Sequence, residues 1–378
     1  MKQKGTLKRL LAVFLALTAF LSLCCVRPAA AGSVSWILME AKTGQILGGE
    51  GYEEARPSAG LGRMMSLLLF AEALEQGVVE ADTLVSVSKE AAAQRGSRVF
   101  LDAGSQYPFK ALLEPAIVCG AGDAIYALAE RLCGNAEAFT AAMNQRARQL
   151  GLTAEFADPT ALKEGTHICA RDLAVLACRL TEFPQILAHS GIWMGKFTHS
   201  SGRVTEMTNG NRLVREEGFD GMATGSTAQD GYAIAASFKS GGTHFICVVL
   251  GAKTAEERHE LARDKLQEAA AVYAVKTVAE KGRRVTSVSV DGEELPLLAS
   301  DDLTILCRKG EELEKEIELL GGVELVPPIA AGDVVGRLIL TAVDGKQYSV
   351  ALTAEHDCRK ESYTDALRQV VRRWLGLS

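Results

Sequence analysis

The feature that most restricts what this chain can become is a change of hydrophobic period near residue 280. Apolar residues recur at helical spacing in 109–118, 123–132, 136–150 and 170–180. Between 285 and 351 they fall instead into short runs broken by Asp291-Gly292, Lys309-Gly310, Gly321-Gly322, Pro327-Pro328 and Asp344-Gly345. A period near 3.6 residues makes an amphipathic helix and a period of 2 makes a half-buried strand, so the two halves need different layers. The middle of the chain reads as α-rich and the last part as a small all-β domain.

Strand signals also flank the helical block. Runs at 33–40 and 45–47 surround a Gly-containing turn, which is a hairpin signal. Further runs follow at 203–208, 232–239 and 244–250, the last two joined by Ser240-Gly-Gly-Thr243. This order predicts an α+β sheet flanked by helices, with the N-terminal hairpin joining the later strands. The stretch 61–76 places Met64, Leu67, Leu68, Ala71 and Leu74 at helical spacing, with more apolar residues between them, and predicts a helix buried nearly all round. A long helix over 255–278 is predicted to close this domain.

The ends carry their own signals. Lys2, Lys4, Lys8 and Arg9 precede an apolar run at 10–23 and small residues at Ala29 and Ala31, the pattern of a signal peptide cleaved before Gly32. The mature protein is therefore expected outside the cytoplasm. Cys24 follows Leu23 where a lipoprotein signal wants a small residue, so lipidation is not expected. At the other end Tyr363, Leu367, Val370, Val371, Trp374 and Leu377 share one helical stripe, which suits an anionic membrane surface or the chain's own β domain. The expected division is 1–31 signal peptide, 32–279 first domain, 280–357 β domain and 358–378 amphipathic helix.

Composition excludes several functions. Lys and Arg total 41 against 47 Asp and Glu, without a long single-sign block, which leaves no footprint for nucleic acid. The cysteines beyond Cys24 and Cys25 stand at 119, 133, 169, 178, 247, 307 and 358, an odd and scattered set without CxxC, so neither a disulfide framework nor a zinc site is expected. The histidines form no HExxH, and no metal or other cofactor is implied.

Several ordered segments carry a resemblance. They are Trp36-Ile-Leu-Met-Glu-Ala-Lys-Thr-Gly, Arg56-Pro-Ser-Ala-Gly-Leu-Gly-Arg-Met-Met-Ser66, Cys119-Gly-Ala-Gly-Asp-Ala-Ile-Tyr126, Phe156-Ala-Asp-Pro-Thr-Ala-Leu162, His167-Ile-Cys-Ala-Arg-Asp-Leu173 and Phe219-Asp-Gly-Met-Ala-Thr-Gly-Ser226. In this order they resemble serine-type D-alanyl-D-alanine carboxypeptidases related to penicillin-binding protein 5. The resemblance runs nearly the whole mature chain. It implies a β-lactamase/transpeptidase-like domain of α+β class, then the small all-β domain, then a C-terminal helix that rests on the outer face of the cytoplasmic membrane.

The same resemblance shows what is missing. Members carry Ser-x-x-Lys at the start of the buried helix, where the hydroxyl attacks the substrate carbonyl and a neutral Lys takes its proton. Here the positions hold Gly60 and Arg63. Glycine has no nucleophile and a guanidinium stays protonated at working pH. The family's Ser-Gly-Asn becomes Gly120-Ala121-Gly122, and Lys-Thr-Gly becomes Ala223-Thr224-Gly225, without its cation. Lys42-Thr43-Gly44 reads as an intact third motif but lies in the hairpin turn.

Other candidates are weaker. Ser58 and Ser66 flank the altered first motif, yet helix geometry puts neither where Gly60 lies. Asp123, Asp158 and Asp220 read as cap or turn carboxylates and His167 as structural. The small residues predict a wider, less charged groove, with Arg63 as a fixed positive charge deep inside it. The leading expectation is a non-catalytic cell-envelope protein that binds a peptidoglycan stem peptide or an envelope protein. An active carboxypeptidase with a rewired nucleophile, and a structural membrane-surface module with a vestigial cleft, remain as alternatives.

Overall fold

A computed structural model describes residues 34–320, 325–341, 347–359, 367, 371–372 and 374–375. The expected signal peptide at 1–31 lies outside the described residues, as does most of the tail at 358–378. The chain forms two compact units. The first takes 48–237 and 247–263 with the start of the chain up to Leu38, and the second takes 264 onward with 39–47 and 238–246.

The expected sheet is present. Strands β1 (Ser35–Glu40) and β2 (Ile46–Glu50) form the hairpin; β3 (Leu84–Ser86) pairs with β4 (Gln106–Pro108), and β5 (Met194–Thr198) with β6 (Val204–Thr208). Strands β7 (Phe219–Thr227), β8 (Gly231–Ser240) and β9 (Thr243–Ala252) complete a five-stranded sheet of order β2-β1-β9-β8-β7. β8 and β9 are buried along continuous apolar runs, the mark of strands covered on both faces. Gly241 and Gly242 both take positive φ, at 56° and 83°, as a tight hairpin turn demands.

Helices form where 61–76, 109–118, 123–132, 136–150 and 170–180 predicted them, and two short ones, Lys89–Ala92 and Pro184–Ser190, are additional. In chain order they are α1 (Met64–Glu75), α2 (Lys89–Ala92), α3 (Phe109–Val118), α4 (Gly122–Cys133), α5 (Ala136–Gln149), α6 (Ala170–Leu180), α7 (Pro184–Ser190) and α8 (Ala255–Val272). α1 is buried nearly all round, and Phe70 at its centre meets Phe109 edge-on and Phe139 at a tilt. Its first turn is a separate 3-10 segment, Leu61–Arg63, rather than part of one helix over 61–76.

The predicted helix over 255–278 is corrected by the structure. It stops at Val272, and Tyr273–Ala279 becomes strand β10, paired antiparallel with β13 (Leu303–Arg308). Tyr273, Val275 and Thr277 favour a strand, and the long-range partner outweighs the local helical pattern. The remaining strands are β11 (Arg284–Val290), β12 (Glu293–Ala299), β14 (Glu314–Leu319), β15 (Val334–Thr341) and β16 (Gln347–Ala354), in sheet order β11-β12-β16-β15-β14. Their inner faces bury Leu295, Leu297, Leu338, Leu340 and Leu352, giving the predicted β domain its own core. Cys169, Cys178, Cys247, Cys307 and Cys358 are buried and form no disulfide among the described residues.

Candidate functional site

The first altered motif sits on a strained turn. Ala59 and Gly60 have φ of 51° and 85°, and Gly60 caps the 3-10 segment that runs into α1. A side chain at such a φ is disfavoured, so the backbone suits the glycine it holds. A Cβ at Gly60 would also stand 2.8 Å from Cδ2 of Leu162. Leu162 comes from the turn after Asp158, whose carboxylate accepts the amides of Thr160, Leu162 and Lys163.

Arg63 occupies the centre. Its side chain is 8% exposed, with Nη1 donating to the carbonyl of Gly60 and Nη2 to that of Thr224, both at 2.9 Å. Burial pushes its pKa down to about 10, and the Cys119 thiol partly opposes this. At neutral pH it remains a cation. Its Nε has no partner. The flat guanidinium lies against Gly120, where a Cβ would be 2.7 Å from Nε and 2.8 Å from Cζ. One side chain thus joins Gly60, Gly120 and Thr224.

The groove is therefore not widened at positions 60 and 120, contrary to expectation. Leu162 fills the side-chain space missing at Gly60, and Arg63 fills that missing at Gly120. Gly122 stands apart from Arg63: a Cβ there would make ordinary contacts with Thr160, Arg95 and Ser97. The amide of Gly122 donates to the carbonyl of Ser97, and the buried carboxylate of Asp123 accepts the amides of Val99, Leu101 and Ala124. Asp123 and Asp158 are turn-holding carboxylates, as predicted.

The third motif lies on β7, an edge strand of the sheet. Ala223 is buried and carries no charge to replace the family's cation. A Cβ on Gly225 would fall 1.9 Å from the carbonyl oxygen of Ala59, a close approach that only glycine permits. The oxygen of Gly225 accepts 2.8 Å from Nη1 of Arg258, which also donates to Ala233.

Arg258 was not singled out from the sequence. It is 7% exposed and stacks on Tyr232, with its pKa pushed down to about 10 by burial. The available signal was its place on the apolar stripe of α8 with Ala262, Leu266 and Ala269. Leu162 was also missed as a residue filling the motif position. Neither Arg63 nor Arg258 forms an ion pair with a described carboxylate.

The substitute nucleophiles are spent on structure. Ser66 is fully buried and donates to the carbonyl of Pro159, while Ser58, 2% exposed, accepts the amide of Gly62 at 3.2 Å. Burial raises the Cys119 thiol above its usual pKa, and its Sγ faces the carbonyl of Pro115 at 3.3 Å. His167 bridges to Glu155 through its backbone. Lys42 remains in the hairpin turn, its ammonium on the hydroxyl of Thr304.

A sequence model described as D-alanyl-D-alanine carboxypeptidase matches residues 24–254, and one described as penicillin-binding protein 5, C-terminal domain, matches 273–360. D-alanyl-D-alanine carboxypeptidase DacF of Bacillus subtilis is 30% identical over 350 residues, covering 90% of this chain and 89% of that protein. The solved structure of penicillin-binding protein 5 from Haemophilus influenzae is similar with a TM-score of 0.76 and 28% identity, covering 89% of this chain and all of the other. Penicillin-binding protein 6B from Escherichia coli is similar with a TM-score of 0.69 and 25% identity, over 87% of this chain and 96% of that one.

Proposed function

Because this chain belongs to the D-alanyl-D-alanine carboxypeptidase family, we propose that it keeps the family's place in the cell envelope but holds a peptidoglycan stem peptide instead of trimming it. The observation that carries the reading is the position of Arg63. A guanidinium with both terminal nitrogens committed to the carbonyls of Gly60 and Thr224 occupies the centre of the altered motifs. It can neither attack a carbonyl nor take a proton from a nucleophile. Ser58 and Ser66, the serines that flank the altered motif, are engaged with Gly62 and Pro159.

Charge supports the choice of ligand. Arg63 and Arg258 donate to the consecutive carbonyls of Thr224 and Gly225, on an edge strand. Two nearly buried cations without a partner carboxylate favour an anionic group at the cleft, and a stem peptide ends in a carboxylate. In this reading export depends on the 1–31 segment. The tail rests on the membrane surface, consistent with the exposure of Leu367, Val371, Trp374 and Leu375. No helix among the described residues is long and apolar enough to cross a membrane.

The refilled motif positions also favour a second reading, a membrane-surface module with a closed, vestigial cleft. Two measurements on the purified mature protein separate these. Fluorescent penicillin should leave it unlabelled, and calorimetric titration with a pentapeptide stem should give saturable heat. Labelling would restore the catalytic reading, whereas no heat at millimolar peptide would leave the structural module.

A further inference from the structure

The five-stranded sheet of the β domain has two ends, β11 and β14, each hydrogen-bonded on one side only among the described residues. Arg284, Val285 and Thr286 from the first edge and Lys315 and Ile317 from the second nevertheless line one cavity of about 400 Å³. The sheet thus curls until its open edges face a common seam, as a barrel does just before closure.

Register shows what this seam presents. Ile317 lies opposite Leu338 and Lys315 opposite Leu340, and both leucines belong to the buried core. Cross-strand partners share a face, so Ile317 and Lys315 are on the inner face. Ile317 is still 39% exposed. Glu314, Glu316 and Glu318 occupy the outer face. Glu318 pairs with Arg337 at 2.6 Å, whereas Lys315, Glu314 and Glu316 make no ion pair with a described residue.

We propose that this seam is a strand-addition site for an extended peptide segment of another protein, carrying an acidic residue beside apolar ones on one face and basic residues on the other. The unpaired backbone of β14 supplies the hydrogen bonds. Val278, from the end of β10 that also lines the cavity, forms an apolar floor with Val285 and Ile317; Lys315 selects a carboxylate, and Glu314 and Glu316 select cations. A second copy of β14 does not fit, because every register that keeps the inner faces together sets Glu against Glu on the outer face. On the opposite rim Arg283 pairs with Glu280 and Arg284 with Glu294, exposed contacts that an incoming acid can exchange at little cost.

The test uses a fluorescein-labelled peptide, Val-Thr-Val-Lys-Glu-Lys-Val, whose antiparallel register sets its Glu opposite Lys315 and its third residue, Val, opposite Ile317. Fluorescence anisotropy with the mature chain should show saturable binding that a scrambled peptide lacks. Lys315→Glu should weaken it by about tenfold or more, and replacing the peptide's Glu with Lys should recover most of that loss. Lys315 is exposed, so thermal unfolding of the variant should match the parent. Equal binding of the scrambled peptide, no saturation up to about 1 mM, or failure of the charge swap to rescue would overturn the proposal.

Discussion

The guanidinium of Arg63 and the absent side chain of Gly120 occupy the same space, since a Cβ on Gly120 would lie within 2.9 Å of Nε, Cζ and Nη2 of Arg63. With Arg63 in this position the family's serine does not fit at 120, because its Cβ would meet the guanidinium. Gly120→Ala should destabilise the protein by about 2–4 kcal/mol, combining a left-handed φ with overpacking. In an Arg63→Ala background the cost should fall to about 1–2 kcal/mol, the backbone strain alone. Urea unfolding of the double-mutant cycle checks this, and simple additivity would show that the two positions do not compete.

Restoring a nucleophile should be harder than replacing one residue. Gly60 sits at φ 85° with Leu162 over its missing side chain. The variant carrying Gly60→Ser and Arg63→Lys should therefore remain unlabelled by fluorescent penicillin. Adding Gly120→Ser, Gly122→Asn and Ala223→Lys supplies the missing proton-transfer and binding groups, and weak labelling is expected then. Labelling of the two-position variant would mean that the turn adapts to serine without help.

Asp123 should matter for the shape of the cleft rather than for chemistry. Its buried carboxylate accepts the amides of Val99 and Leu101 and so fixes the loop whose Ser97 carbonyl receives Gly122. Asp123→Ala leaves those buried donors unpaired and should cost about 2–4 kcal/mol. Faster proteolysis within 94–101, measured beside chemical unfolding, is the expected signature.

Stability should fall as the solution is acidified below neutrality. His199 and His259 both have pKa values lowered by burial and by nearby arginines, Arg203 and Arg258 respectively. Between the lowered folded value and about 6.5 the unfolded chain binds protons that the folded one does not, so stability present above that window is lost as pH drops. Each histidine contributes at most about 1.4 kcal/mol per pH unit. His259→Gln should flatten the slope between pH 7 and pH 5 in urea melts, and an unchanged slope would exclude His259 as a source.

Much of this architecture was legible in the sequence. Alternating helical and strand periods located α3 to α6 and the β8–β9 hairpin, because their side chains answer to local geometry. The motif positions were legible too, since a missing hydroxyl or amine is visible in the letters. The strand β10 was not, because its partner Leu303–Arg308 lies far along the chain and no local period announces it. Nor was the refilling of the cleft. That depends on Leu162 and Arg63 meeting glycines distant in sequence, and composition at one position says nothing of what moves into the space it leaves.

If the cleft holds a stem peptide, it should do so by charge. Arg63 and Arg258 have pKa values near 10, so both stay cationic from pH 6 to 8 and affinity should be flat across that range. Amidating the peptide's terminal carboxylate should weaken binding about tenfold or more, as should Arg63→Met. Arg63→Lys separates two roles of this residue. A lysine keeps the charge but cannot span both Gly60 and Thr224, so retained affinity would assign binding to the cation, and its loss to the tie between the motif turn and β7. Calorimetry at two salt concentrations completes the argument, because a carboxylate bound by partly buried cations should weaken only modestly as salt rises. Equal binding of the free and amidated peptides would remove the electrostatic basis of the proposed function.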